Sequence, residues 1–198
     1  KGKRVLLRAD YNVPINKDGT ITDDYRITQS VATVSYLRKQ GCKIIIISHL
    51  GRPKTSDDLS CSLKPVAKRL SKLLDCPVSF GKDCIGDKAA LATGSMKQGD
   101  VVLLENLRFH AEEEKNDKDF ARSLASLADI FVQDGFGVVH RAHASTDAIT
   151  KYLPSVAGLL LEREVDTITN VMENPKRPLM AVIGGAKIAD KIDVLNRF

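Results

Sequence analysis

Apolar positions along the chain fall into two alternating patterns. Short, nearly unbroken apolar runs read as strands: Val5 to Arg8, Lys43 to Ser48, Pro77 to Phe80, Asp100 to Glu105 and Ile130 to Gln133. The run KIIIIS is apolar on both faces, as in a central parallel strand covered by helices on each side. Between these runs the apolar residues recur every three or four positions, which predicts helices. Ile27, Val31, Val34 and Leu37 share one stripe over Ile27 to Gln40, and Gly41 follows as a helix-ending glycine. Leu63, Val66, Leu70 and Leu73 do the same over Leu63 to Leu74, with Ser62 as the N-cap. Further helices are predicted over Asp87 to Thr93 and over Asp117 to Leu127, the latter with Phe120, Leu124 and Leu127 facing inward. Asp18-Gly19 marks a turn with Thr20 to Thr22 as its returning strand. Strand–helix alternation at these lengths predicts an α/β fold: a doubly wound parallel sheet sandwiched by helices, in three layers.

Near Pro154 the pattern changes. Val156 to Met172 reads as one long helix ended by the turn Asn174-Pro175-Lys176-Arg177-Pro178. A strand over Leu179 to Ile183 then runs into Gly184-Gly185-Ala186-Lys187 and a helix from Ile188 onward. A strand and a helix cannot bury their apolar faces alone. The expected organisation is therefore a first domain over 1–154, a linking helix over 155–176 and the truncated start of a second domain over 177–198.

Composition narrows the class. Hydrophobic residues make up 43% of 198, charged residues 28%, and there are 13 Gly and 7 Pro, which excludes collagen-like and disordered chains. No apolar run approaches the roughly 20 residues of a membrane span, and no secretory segment stands near Lys1. The formal charge of +5 comes from 30 basic and 25 acidic residues without a run of five basic ones, so a nucleic-acid tail has no support. With no Trp and 5% aromatics, a stacking platform for single strands is also missing. The cysteines Cys42, Cys61, Cys76 and Cys84 form no CxxC pair and no zinc spacing with a histidine, so free thiols in a reducing cytoplasm and no metal ligands are expected.

Chemistry is expected beyond the carboxyl ends of the strands, where open parallel sheets bind ligands. The first strand delivers Arg8, Asp10 and Asn12. The second is followed by His49, Gly51 and Arg52, the fourth by Asn106 and Arg108, and the fifth by His140, Arg141 and His143, while Arg26 opens the first helix. Five arginines on one sheet edge suit a small, multiply charged anion, because guanidinium forks bond carboxylates and phosphates bidentately. Taken alone, Asp10 reads equally well as a loop cap, and the run Glu112-Glu113-Glu114 reads as a solvated face. Neither His49 nor His140 has an adjacent nucleophile to activate. Gly184 to Lys187 at a strand-to-helix junction could admit a phosphate, and Lys187 and Lys191 lie on one helix face. A non-catalytic anion-binding module remains the alternative on these residues alone; the second phosphate site argues against it.

Five segments carry a resemblance: Arg8-Ala9-Asp10-Tyr11-Asn12-Val13-Pro14, Ser48-His49-Leu50-Gly51-Arg52-Pro53, Leu104-Glu105-Asn106-Leu107-Arg108-Phe109, Phe136-Gly137-Val138-Val139-His140-Arg141-Ala142-His143 and Gly184-Gly185-Ala186-Lys187-Ile188-Ala189-Asp190-Lys191. In order and spacing the chain resembles the phosphoglycerate kinase family. The resemblance implies a two-lobed hinge enzyme, with 3-phosphoglycerate in the first lobe and magnesium–nucleotide in the second. It places substrate contacts on Asp10, Tyr11, Asn12, Arg26, Ser48, His49, Leu50, Gly51, Arg52, Arg108, His140 and Arg141. The family's basic patch also matches Arg8 and His143. Nucleotide phosphates are assigned to Gly184, Gly185, Ala186, Lys187 and Lys191, and the catalytic charges to Arg26, Lys187 and Lys191. Mg2+ is implied with the nucleotide, its protein ligand in a lobe expected outside this sequence. ATP or ADP would bind only with that lobe, the protein would be a cytoplasmic monomer, and this chain alone would be inactive. Tyr11 stands where the family commonly has phenylalanine, and Gly135 where alanine is expected.

Overall fold

The computed structural model describes residues 1–16, 18–55, 58–180 and 182. Six parallel strands form one sheet: β1 (Arg4–Arg8), β2 (Lys43–Ile47), β3 (Val78–Gly81), β4 (Val101–Leu104), β5 (Ile130–Gln133) and β6 (Ser155–Ala157), in the order β3-β4-β2-β1-β5-β6. Among the described residues five α-helices accompany them: α1 (Tyr25–Lys39), α2 (Lys64–Leu74), α3 (Gly86–Gly94), α4 (Lys118–Ala125) and α5 (Leu159–Glu173). Alternation along the strands divides the core. Val5, Leu7, Ile44 and Ile46 pack with Ile27 and Val34 of α1 and Val66 and Leu70 of α2. Leu6, Ile45 and Ile47 pack on the other face with Ala89 of α3 and Phe120, Ala121 and Leu124 of α4. A strand buried on both sides has no polar face to spare, which is why KIIIIS lacks alternation. The expected three-layer sandwich is the fold.

Several local expectations need correction. The returning strand at Thr20 to Thr22 is reduced to a single antiparallel bridge, Ile15 to Ile21. Leu63 rather than Ser62 occupies the N-cap position of α2, although Ser62 Oγ still accepts the Lys64 N–H at 3.3 Å. The Ser62 hydroxyl donates to Glu105 Oε2 at 2.7 Å, and Glu105 Oε1 accepts the N–H of Leu63, the residue that precedes the helix, at 2.8 Å. A carboxylate from the β4 end thus shares the capping role near the helix N-terminus.

The larger correction concerns Val156 to Met172, where one helix was expected. Val156 and Ala157 pair with Val132 and Gln133 as the edge strand β6, and the helix begins only at Leu159. Asp134 starts it, its Oδ1 accepting the N–H groups of Leu160 at 2.9 Å and Leu161 at 3.4 Å. The chain divides into two compact units, Lys1–Leu161 and Glu162–Phe198. Residues 155–161 therefore belong with the first unit, rather than opening a linker after Pro154. The expected strand to Ile183 and the glycine–lysine segment 184–191 lie outside the described residues, apart from 179, 180 and 182.

Gly158 makes this junction possible. A Cβ there would collide with the Asp134 carboxylate and stand 2.9 Å from its Cβ. Gly158→Ala is expected to lower stability by about 1–3 kcal/mol, the usual cost of overpacking. Urea unfolding would read it, and an unchanged midpoint would mean that Asp134 can step aside.

Candidate polyarginine anion site

The sheet's topology puts the crevice between β1 and β5, whose onward connections leave in opposite directions. The segments after β1, β2, β4 and β5 meet there. Asn106, fully buried, joins two of them: Oδ1 accepts from Leu50 N at 3.2 Å and Arg108 N at 3.0 Å, and Nδ2 donates to Leu50 O at 2.7 Å and Cys61 O at 2.9 Å. Asn12 Oδ1 accepts from Gly51 N at 2.8 Å, tying the β1 end to the same loop. Gly51 has φ 60°, a left-handed turn that brings Arg52 round to the crevice.

The arginines differ in state. Arg8 is buried and its guanidinium is used internally: Nε donates to Ser145 Oγ at 2.9 Å, one terminal nitrogen to Ala9 O, and the other faces His49 Nδ1 at 3.2 Å. Arg26, exposed, pairs with Asp10. Gly137 packs over that pair, for a Cβ there would stand 2.7 Å from Asp10 Oδ2. Arg108 donates to Gly51 O at 2.7 Å and pairs with Glu114 Oε1 at 2.8 Å, while its buried Nε has no partner. Arg52 is exposed and Arg141 half-buried, and neither pairs with a carboxylate among the described residues.

Electrostatics show how closely these charges converge. Burial pushes His49 down to about 2, aided by Arg8, Arg108, Arg141 and Arg26. Burial also lowers Arg108, with Arg141 and Arg52 adding to the shift and Glu114 and Glu113 opposing it. His143 is lowered by burial, against the pull of Glu113 and Glu114. A neutral His49 imidazole thus sits within the field of four guanidinium groups.

The pH consequence has a definite sign. From the ordinary 6.5 downward the unfolded state takes up a proton on His49 that the folded state refuses. Stability contributed by this group is therefore present above about pH 6.5 and falls as the pH drops below it. His49→Asn keeps an acceptor for Arg8 and is expected to make that acid limb shallower. Urea unfolding at about pH 7 and about pH 5 measures it; an identical limb in the variant would contradict the burial argument.

Some expected contacts take other roles. The Tyr11 ring is fully buried, its hydroxyl 2.8 Å from Ser30 Oγ, and its N–H donates to Ser48 Oγ at 2.9 Å, so only its main chain could meet a ligand. Ser48, His49 and Leu50 are likewise buried. His140 is exposed. Gly184 to Lys187 and Lys191 lie outside the described residues. Two features escaped the sequence reading. Glu113 is buried rather than solvated. Asp83, Cys84 and His110, with no telling spacing, place one ligand atom each within 4.8 Å of one another. His110 Nε2 already bonds Asp83 Oδ1 at 2.7 Å, and burial raises the Cys84 thiol well above its ordinary value. A separate groove of about 610 Å³, lined by Lys64, Lys68, Arg69 and Lys72 of α2, includes none of the five edge arginines.

An open parallel sheet with helices on both faces and a polycationic carboxyl edge defines a three-layer α/β domain. The family model described as "Phosphoglycerate kinase" matches residues 1–198, and the chain belongs to that family. It is 54% identical over 197 residues to the phosphoglycerate kinase of Dictyoglomus turgidum, covering 99% of this chain and 49% of that protein. With the phosphoglycerate kinase of Chlorobium phaeobacteroides it shares 53% identity, over 99% and 50% of the two chains. The solved phosphoglycerate kinase of Coxiella burnetii superimposes with a TM-score of 0.86 at 40% identity, covering 98% of this chain and 49% of that one. That of Pyrococcus horikoshii gives 0.88 at 33% identity, with the same coverage. The chain spans about half the length of the curated relatives it matches.

Proposed function

We propose that this chain forms the 3-phosphoglycerate-binding half of an enzyme that moves a phosphoryl group between ATP and the carboxylate of 3-phosphoglycerate. The forward transfer yields 1,3-bisphosphoglycerate and ADP; in glycolysis the reaction runs toward ATP. The gathering of Arg26, Arg52, Arg108 and Arg141 on the segments at one edge of the sheet, with Arg52 and Arg141 free of carboxylate partners among the described residues, supports the reading, because such a field attracts a small polyanion. Arg52, Arg108 and Arg141 would hold the substrate phosphate, and Asp10 and Asn12 its hydroxyl end. The carboxylate oxygen is itself the nucleophile, so no general base is needed and the protein contributes position and charge. Arg26 would leave Asp10 to neutralise the transferred group, a charge role we also assign to Lys187, with Lys191 assisting.

Magnesium would accompany the nucleotide, whose phosphates we assign to Gly184 to Lys187 and Lys191. Residues 162–176 would link the two lobes and 177–198 would open the nucleotide lobe, with hinge closure excluding water before transfer. No helix among the described residues is long and apolar enough to cross a membrane. A cytoplasmic monomer that binds neither nucleic acid nor membrane fits the reading.

The chain alone is expected to bind 3-phosphoglycerate weakly, with steep salt dependence, and to show no turnover with ATP. Titration calorimetry at low salt and a coupled assay measure the two. Absence of binding would overturn the site assignment; a steady rate from material free of host enzyme would overturn the division of labour between lobes.

A further inference from the structure

The acidic run 112–114 separates into three different environments. Glu112 is exposed, Glu114 reaches out to Arg108, and Glu113 is sealed beneath the loop that carries Arg141. Glu113 Oε1 accepts the Ser145 hydroxyl at 2.5 Å, and Oε2 accepts the Ser145 N–H at 3.0 Å. Its carbonyl accepts from Ala144 N at 2.9 Å. Ser145 Oγ in turn accepts from Arg8 Nε, and Arg8 reaches His49 Nδ1. Carboxylate, hydroxyl, guanidinium and imidazole thus form one continuous chain, with exposures of 0%, 0%, 1% and 2%.

Two consequences follow from donor chemistry. A guanidinium has no acceptor, so Nδ1 of the neutral His49 ring must be the acceptor and the ring proton must sit on Nε2. Arg8, moreover, is buried in a region that repels it, close enough to Arg108 and Arg141 to feel both. A buried cation in that position needs a buried counter-charge. Glu113 and Asp10 are the carboxylates that oppose the repulsion, and Asp10 is already paired with Arg26.

We propose that Glu113 is a positioning residue of the anion site, acting through Ser145 and Arg8 to fix the His49 proton on Nε2, where it can donate toward an anion. The proposal rests on the 3-phosphoglycerate reading of that site for its ligand, not for its geometry. Glu113 is sealed from the crevice and touches no substrate. It resembles the outer partners that orient metal-bound histidines, with an arginine in place of the metal.

Two variants test it. Glu113→Gln keeps the shape and removes the charge. Ser145→Ala keeps both charges and removes the hydroxyl between them, and it decides alone if the first variant does not fold. Long-range ¹H–¹⁵N NMR of the ligand-free chain reads the His49 tautomer, and calorimetry with 3-phosphoglycerate reads affinity. The unmutated chain and the exposed-site control Glu112→Gln should show a single Nε2–H tautomer and equal affinity. Each test variant should show mixed tautomers and bind about tenfold more weakly, the factor for one lost interaction of modest strength. A folded variant that retains the single tautomer, or that retains full affinity with mixed tautomers, overturns the proposal. If the unmutated chain fails to bind 3-phosphoglycerate, the ligand reading falls, and the tautomer measurement alone decides the positioning role.

Discussion

Asn106→Ala is expected to cost about 2–4 kcal/mol of stability and to weaken anion binding at the same time. The side chain makes four hydrogen bonds, all to main-chain groups: Leu50 N, Leu50 O, Cys61 O and Arg108 N. A buried donor or acceptor left unmade costs about 1–3 kcal/mol. Water can reach the half-buried Cys61 and Arg108 more easily than it can reach Leu50, so the total falls below four full penalties. The functional loss has a different origin. The loop from His49 to Arg52 would lose its staple to the β4 end, and Arg52 would have to be ordered at the expense of binding energy. Asn106→Asp tests the donor half of the side chain. It keeps acceptors for Leu50 N and Arg108 N but sets a carboxylate oxygen against two carbonyls. It should therefore be as unstable as the alanine variant. Urea unfolding with an unchanged denaturant slope, alongside calorimetry, checks both quantities. Near-wild-type stability of Asn106→Ala would mean that the loops are held by something other than this side chain.

The sheet was legible because its signal is periodic and local. KIIIIS, DVVLLE and the i, i+3, i+4 stripes of α1, α2 and α4 each point to one element without reference to the rest. The arginines were legible for a topological reason: each follows a strand, and parallel strands end on one edge. What the sequence withheld depended on contacts between distant residues. PSVAGLLL reads as helix because nothing local shows that Val156 pairs with Val132, or that Asp134 stands ready to start the helix at Leu159. Ser62 has the ordinary features of an N-cap and accepts the Lys64 N–H, but its hydroxyl proton goes to Glu105, 43 residues away, which also takes the Leu63 N–H. Glu113 shares a run with two solvent-accessible glutamates, and its burial comes from the Ala144–Ser145 turn folding over it. Tyr11 sits in a motif that carries ligand contacts, yet the alternation of the chain there turns its ring into the core.

Arg108→Ala and Glu114→Gln should move anion affinity in opposite directions. Arg108 is poised for a ligand. Its side chain is 7% exposed, one fork nitrogen is anchored on Gly51 O, and the buried Nε has no partner. A charge-assisted hydrogen bond is worth about 1.5–3 kcal/mol, so Arg108→Ala should weaken 3-phosphoglycerate binding by roughly 10- to 150-fold. Arg108→Lys should recover little, because an ammonium lacks the planar fork that lets one nitrogen stay on Gly51 O while another meets the ligand. Glu114 occupies the outer fork nitrogen, and with 54% of its side chain exposed the pair itself is worth no more than about 1 kcal/mol. An incoming phosphate must displace that carboxylate and meets its negative charge while doing so. Glu114→Gln removes both obstacles and should tighten binding by a few-fold, most visibly at low salt, where exposed charges are least screened. Calorimetry on folded variants, with thermal unfolding as the control for Arg108→Ala, measures each. Weaker binding by Glu114→Gln would mean that its carboxylate aims Arg108 instead of competing for it. Undiminished binding by Arg108→Ala would remove Arg108 from the anion site altogether.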